Sequence, residues 1–131
     1  MSENGLGKPV DSSAESGKEP LLESFDSPGD HIATFETDEL TALCPFDFGG
    51  PDYYTLTIRY KPDGEVVESK SLKKYLEGYR NTEISAEALA VAIHDDITEC
   101  IDPESLYVRL EQARRGGIEE TVEKGDDDLS A

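Results

Sequence analysis

From Tyr53 to Tyr60 the chain alternates. Tyr54, Leu56, Ile58 and Tyr60 fall on one side, and Thr55, Thr57 and Arg59 on the other. A period of two is the pattern of a half-buried strand. In Lys61-Pro62-Asp63-Gly64 the proline presets one backbone angle and the glycine closes the turn, so Glu65-Val66-Val67-Glu68 is expected to return as the second strand of a hairpin. The period then lengthens. Leu72, Tyr75, Leu76 and Tyr79 recur at i, i+3, i+4 and i+7, one face of a short helix that starts near Ser71 and weakens at Gly78. Ala86, Leu89, Ala90, Ile93, Ile97, Cys100 and Ile101 form a longer stripe. It predicts a helix over residues 85–101, capped by Ser85 and ended by Asp102-Pro103. Leu106, Val108 and Leu110 alternate with Tyr107, Arg109 and Glu111 as a third strand, Arg114-Arg115-Gly116-Gly117 is a turn or bulge, and Ile118 to Val122 is a last strand. Residues 33–43 add an extended lead-in. Two hairpins around two helices predict an α+β fold, an antiparallel sheet with both helices on one face in the order ββααββ.

The chain of 131 residues is expected to hold one domain. Residues 1–31 are rich in Ser, Glu, Gly, Pro and Asp and poor in large apolar side chains, so they read as a disordered acidic extension. The compact domain is expected over 32–123, and 124–131 as an acidic, solvated tail. No secretion signal or membrane-length apolar run is read, which points to the cytoplasm. The net charge is −18, from 30 acids and 12 bases, and acids such as Asp95, Asp96, Glu99 and Glu111 lie within the folded region. That charge disfavours a nucleic-acid or anionic-membrane partner and suits a cytoplasm of high salt, as in a halophile. Cys44, Cys100, His31 and His94 show no ligand-pair spacing, so no metal site is expected.

The candidate chemistry lies in Leu43-Cys44-Pro45-Phe46-Asp47-Phe48-Gly49-Gly50-Pro51-Asp52. A cysteine ends an apolar run, and a Gly-Gly-Pro turn brings an aspartate back toward it. A thiolate nucleophile with a proton donor at hand is among the smallest useful catalytic sets. On composition alone Cys44 is equally a small buried hydrophobe, Asp52 a turn residue, and Asp47 in the same loop turn chemistry. Cys100 lies on the apolar stripe of its helix and reads as core.

Together with Leu43-Cys44-Pro45 and Gly50-Pro51-Asp52, the stretches Glu68-Ser69-Lys70-Ser71-Leu72-Lys73-Lys74-Tyr75-Leu76 and Tyr79-Arg80-Asn81 complete a pattern. With Asp102-Pro103 and Arg115-Gly116-Gly117, it resembles the QueF family of tunnelling-fold nitrile reductases, over roughly residues 34–120. These enzymes convert 7-cyano-7-deazaguanine to its aminomethyl form on the way to queuosine, a tRNA modification. The resemblance implies Cys44 as the nucleophile that forms a thioimide and Asp52 as the proton donor. It implies Val67, Glu68, Ser69, Ala86 and Glu87 around the substrate, with Glu87 accepting N–H groups of the deazaguanine edge. It implies NADPH as cofactor, with Lys70, Lys73, Lys74, Arg115 and Gly116 as candidates for its phosphates, and a homo-oligomer with sites at the subunit seams. No Gly-x-Gly-x-x-Gly follows a strand, so a Rossmann site is not expected.

Three features depart from the family pattern. Asp52 stands eight residues after Cys44 rather than seven. Ser85-Ala86-Glu87 replaces Phe-His-Glu, so the histidine is gone. The ending is acidic rather than aromatic and basic. Two other readings share these residues: a QueF-like amidinotransferase that forms archaeosine from the same nitrile in tRNA, and a non-catalytic purine-binding module.

Overall fold

Along the described residues, 21–46 and 50–129, the computed structural model runs β1 (Ser24–Asp26), β2 (Ala33–Leu43), β3 (Pro51–Lys61), β4 (Glu65–Val67), α1 (Ser69–Glu77), α2 (Ala86–Ile101), β5 (Ser105–Arg115) and β6 (Ile118–Gly125), then a 3-10 turn at Asp127–Leu129. Expectations placed on residues 1–20, on Asp47 and on the last two residues lie outside the described residues. Four strands form an antiparallel sheet in the order β2-β3-β5-β6, and β1 pairs with β4 in a separate two-stranded ladder. With α1 and α2 on one face, this is the expected α+β order ββααββ.

The strands that fill that order differ in one place. Glu65–Val67 does not return along β3. Its partner is β1, with Ser24 opposite Val67 and Asp26 opposite Glu65. β3 is flanked by β2 on one side, where Phe35 faces Ile58 and Leu40 faces Tyr54, and by β5 on the other. An eleven-residue strand pairs along most of β3, and a three-residue return cannot compete for those hydrogen bonds. β1 lies within the segment 1–31, where no packed element was expected. It covers the edge of β4 and ties the start of α1: Glu68 N–H donates to the Glu23 carbonyl (2.8 Å), and Glu23 N–H donates to Ser71 Oγ (2.9 Å).

The core lies between the sheet and the helices. Tyr54, Leu56, Ile58 and Tyr60 of β3, Leu106, Val108 and Leu110 of β5, and Leu89, Ala90, Ile93, Ile97 and Ile101 of α2 are buried there. Each large aliphatic side chain so buried contributes about 1.5–3 kcal/mol. Cys100 packs partly buried at the edge of this cluster, where burial pushes its thiol pKa up. α2 begins as expected: Ser85 Oγ accepts from Ala88 N–H (3.2 Å). It ends at Asp102, whose left-handed backbone closes the last turn.

The acidic tail is partly built in. Asp126 Oδ2 accepts from Leu106 N–H, Asp126 N–H donates to the Leu106 carbonyl, both at 2.9 Å, and Leu129 is buried. Gly125 has φ +120°, and a Cβ there would run into the Leu106 carbonyl oxygen. No helix among the described residues is long and apolar enough to cross a membrane.

Candidate active site

Two β-bulges aim the candidate residues. On β2, Thr37 pairs with Leu56 but Leu40 with Tyr54, so one extra residue is inserted. Before the bulge Phe35 and Thr37 share the helix-covered side with Ile58 and Leu56; after it Leu40 and Ala42 take their place opposite Tyr54 and Asp52. An inserted residue reverses the in–out phase of everything beyond it. Ala42 pairs with Asp52 two residues before Cys44, and Cys44 is close enough to Tyr54 for its charge to act there. On β5 a matching insertion lies between Gln112, opposite Glu120, and Arg115, opposite Ile118. It turns Arg115 toward Asp52, and the Arg115 guanidinium donates to the Asp52 carboxylate. Asp52 is buried at 6% exposure, whereas Arg115 is half-buried.

The loop after β2 is held from below. Leu43 N–H donates to the Thr82 carbonyl (2.9 Å), and Ile84 N–H donates to the Leu43 carbonyl (3.0 Å). Ile84 runs straight into the Ser85 cap and the first turn of α2, so the cysteine end of β2 and Glu87 share one short clamp. Cys44 is half-buried, and its Sγ accepts from Phe46 N–H (3.4 Å).

One residue that sequence reasoning missed completes the cluster. Glu120 on β6 stands opposite Gln112, which stands opposite Tyr54, so the three line one row across the sheet. Its carboxyl group meets that of Glu87 as a hydrogen-bonded pair. That contact, aided by desolvation, pushes the Glu120 pKa up to about 7 and holds Glu87 below its ordinary value. Beneath the pair, the Tyr54 hydroxyl is buried with no hydrogen-bond partner among the described residues. Its pKa is raised, first by burial and then by the charges of Asp52, Glu120, Glu87 and Cys44. All four groups are therefore near enough for their charge to act on one phenol.

The other expected residues lie elsewhere. Glu68 caps α1, its carboxylate accepting from Ser71 N–H (2.7 Å) and Lys70 N–H (2.9 Å), and those bonds lower its pKa. Val67 is buried and donates its N–H to Tyr60 Oη (3.0 Å). Ala86 is buried in the core rather than open to a ligand. Ser69 is exposed at the first turn of α1, and Lys70, Lys73 and Lys74 are exposed along it at i, i+3 and i+4. Between α1 and strands β2 and β3 is a cavity of about 810 Å³, lined in part by Ser69, Lys73, Arg80, Asp38 and Leu72. Cys44, Asp52 and Glu87 do not line it. Gly116 turns the β5–β6 hairpin with φ +60°, at the Arg115 end of the sheet rather than beside the lysines.

The candidate residues thus fall in two groups. Glu65 is near enough to Cys100 to perturb its thiol, so the β4–α1 junction lies at the C-terminal end of α2. Glu87 is at the other end, roughly 20 Å away along a helix that rises 1.5 Å per residue. Among the described residues, no group of three or more His, Cys, Asp or Glu is placed to hold a metal ion.

The fold is of the α+β class, with a thiol, a buried carboxylate and an acid pair gathered near one end of an antiparallel sheet. A family model described as QueF-like protein matches residues 51–129. Among curated relatives, the NADPH-dependent 7-cyano-7-deazaguanine reductase of Pelodictyon phaeoclathratiforme is 43% identical over 108 residues, covering 80% of this chain and 92% of the relative. The protein of the same name from Chlorobium chlorochromatii is 40% identical over 105 residues, covering 78% of this chain and 90% of the relative. A match over four fifths of 131 residues necessarily spans positions 44 and 52. The crystal structure of an apo archaeosine synthase QueF-Like superposes with a TM-score of 0.67 at 24% identity, covering 72% of this chain and 91% of that one, which is a likeness of fold. The chain belongs to the QueF family.

Proposed function

We propose that this chain is a cytoplasmic nitrile reductase that converts 7-cyano-7-deazaguanine to 7-aminomethyl-7-deazaguanine with NADPH, in the making of queuosine. The observation that carries this is Cys44 two residues beyond Ala42, which the β2 bulge sets opposite Asp52, in a chain about 40% identical to reductases of that name. A nitrile carbon is electrophilic but slow to take hydride. The Cys44 thiol gives its proton to the Asp52 carboxylate and its sulfur adds to the carbon: an S–C bond forms, the triple bond becomes a C=N bond, and Asp52 passes that proton to the nitrogen. The resulting thioimide is the better hydride acceptor, and bound NADPH supplies hydride. Arg115 holds the Asp52 carboxylate in the meantime, which makes it a positioning residue of the donor and competes with its expected role at cofactor phosphates.

The exposed lysine face of α1 suits a phosphate-bearing cofactor in a chain of net charge −18, where local cations are scarce. The adjoining cavity sets Glu36, Asp38, Glu39 and Glu77 beside Lys73 and Arg80, so the lysine face rather than the cavity is the phosphate candidate. Glu68, Ser69 and the lysines stand at one end of α2 and Cys44, Asp52 and Glu87 at the other, so one chain leaves each half-site open. A second copy of the chain, placing its α1 junction against the first copy's Cys44, closes both. That supports a homo-oligomer with the site at its seam.

The intact Glu68–Leu76 stretch, with its lysines on one face of α1, favours hydride chemistry over amidine formation. The test is loss of NADPH absorbance with the free base in high salt. The reductase consumes two NADPH per base, and Cys44→Ala consumes none. No loss in the parent protein, with amidine appearing in tRNA once ammonia is supplied, would assign the transferase reaction instead.

A further inference from the structure

We propose that Glu120 is a substrate-recognition residue of this site, sharing one proton with Glu87 so that the pair presents an acceptor and a donor side by side to the amide edge of the base. This rests on the reading of the substrate as a deazaguanine. That edge carries two N–H donors next to a carbonyl acceptor. One ionised carboxylate satisfies only the donors and sets its charge against the carbonyl oxygen. Two carboxyl groups holding one proton match all three: Glu87 accepts the N–H groups, and Glu120 donates its proton to the carbonyl oxygen.

The geometry supports this assignment from three elements. Glu87 is exposed in the first turn of α2, where the helix dipole favours the charged form. Glu120 is half-buried on β6, in the row Tyr54–Gln112–Glu120. The Tyr54 hydroxyl, in a side chain only 2% exposed, lies within the field of both acids with no protein partner among the described residues. A buried hydroxyl without a partner is uncommon and leaves one hydrogen bond for an incoming group. The groups facing Glu120 are Glu87 on α2, uncharged Gln112 on β5, and beyond it Tyr54 and Asp52 on β3 with Cys44 at the end of β2. No neighbouring cation pulls the Glu120 pKa down, so the shared proton is what relieves the repulsion. With Ala86 buried and carrying no donor, Glu120 is the side chain placed to provide one beside Glu87.

The experiment separates recognition from chemistry by measuring calorimetric binding of 7-cyano-7-deazaguanine to Cys44→Ala, which cannot form the thioimide. In that background Glu120→Ala should weaken binding by about tenfold to a hundredfold, the loss expected of one hydrogen bond to a charged pair. Glu120→Gln keeps a permanent donor, so it should bind within about threefold of the parent. Parent binding should weaken as pH rises through about 7, and Glu120→Gln should flatten that profile. In the Cys44-containing protein, Glu120→Ala should raise KM for the base and leave KM for NADPH and kcat within about threefold. Equal affinity and an unchanged pH profile in Glu120→Ala and Glu120→Gln would overturn the assignment. If the base fails to bind the parent at all, the reductase reading fails. If it binds with the expected Glu120 dependence but forms no adduct on Cys44, the recognition step stands and the reductase chemistry falls.

Discussion

Glu87 and Glu120 are two like charges in hydrogen-bonding contact, and the conflict is settled by a proton. Unfolded, Glu120 loses that proton near 4.5; folded, near 7. Between those values the folded chain holds a proton that the unfolded chain has released, so this contribution to stability is present at low pH and is lost as pH rises across the window. Glu87 works in the opposite sense. Its folded value is lowered by the same contact, so its contribution is present above the ordinary carboxylate range and lost as pH falls through the folded value. The pair titrates as a unit. Glu120→Gln keeps the size of the side chain and removes the repulsion. Its melting temperature should equal the parent's near pH 5 and exceed it by about 2–5 °C near pH 8. An equal difference at both pH values would contradict the shared proton. In the sequence Glu120 was one acid among 30, in a strand whose partner residues no spacing reveals. Only the register from Tyr54 through Gln112 places it beside Glu87. Glu87 could be found because a helix start and a family motif coincide there. For Glu120 the one available signal was an acid at a position where the strand's alternation calls for an apolar residue.

At the scale of elements, long periodic segments were legible and short or interrupted ones were not. The stripe from Ala86 to Ile101 and the alternations at Tyr54–Tyr60 and Leu106–Leu110 appear as α2, β3 and β5, because their apolar positions have only one face on which to be buried. β2 was read only as a lead-in. Its alternation changes phase at the bulge, with Phe35 on odd positions and Leu40 and Ala42 on even ones, so no single period spans it. That phase change also sets Ala42 opposite Asp52, two residues before Cys44, so the feature that hid the strand lies at the candidate site. The β4 error has a different source. A Pro-Asp-Gly turn was read as closing a hairpin, but turn chemistry does not choose the partner strand, and β1 supplied it from a segment too polar to announce itself. Arg114-Arg115-Gly116-Gly117 was read from the sequence as a turn or bulge, and the register shifts between Gln112 and Arg115; its consequence, the Arg115–Asp52 pair, depends on a strand far away in sequence.

At the scale of the whole molecule, the two groups of candidate residues at opposite ends of α2 and the charge of −18 act together. In the proposed assembly a second chain brings its α1 junction, with Lys70, Lys73 and Lys74, to the acid-bearing end of the first. That contact is attractive, while the rest of each surface repels. Screening of the general repulsion, over about 10 Å at 0.1 M salt and 3 Å at 1 M, should therefore favour assembly. Light scattering at molar salt should give a mass that is a whole multiple of the chain's, shifting toward the single chain as salt is withdrawn. A single-chain mass under conditions where the protein turns over would contradict a site shared between copies.

The central claim is the bond between Cys44 and a nitrile carbon. Intact-protein mass spectrometry after addition of 7-cyano-7-deazaguanine, with NADPH withheld, tests it most directly. The account predicts a mass increase equal to one molecule of the base, mapped to Cys44 and absent from Cys44→Ala. An unmodified protein, or an adduct that survives Cys44→Ala, would contradict it.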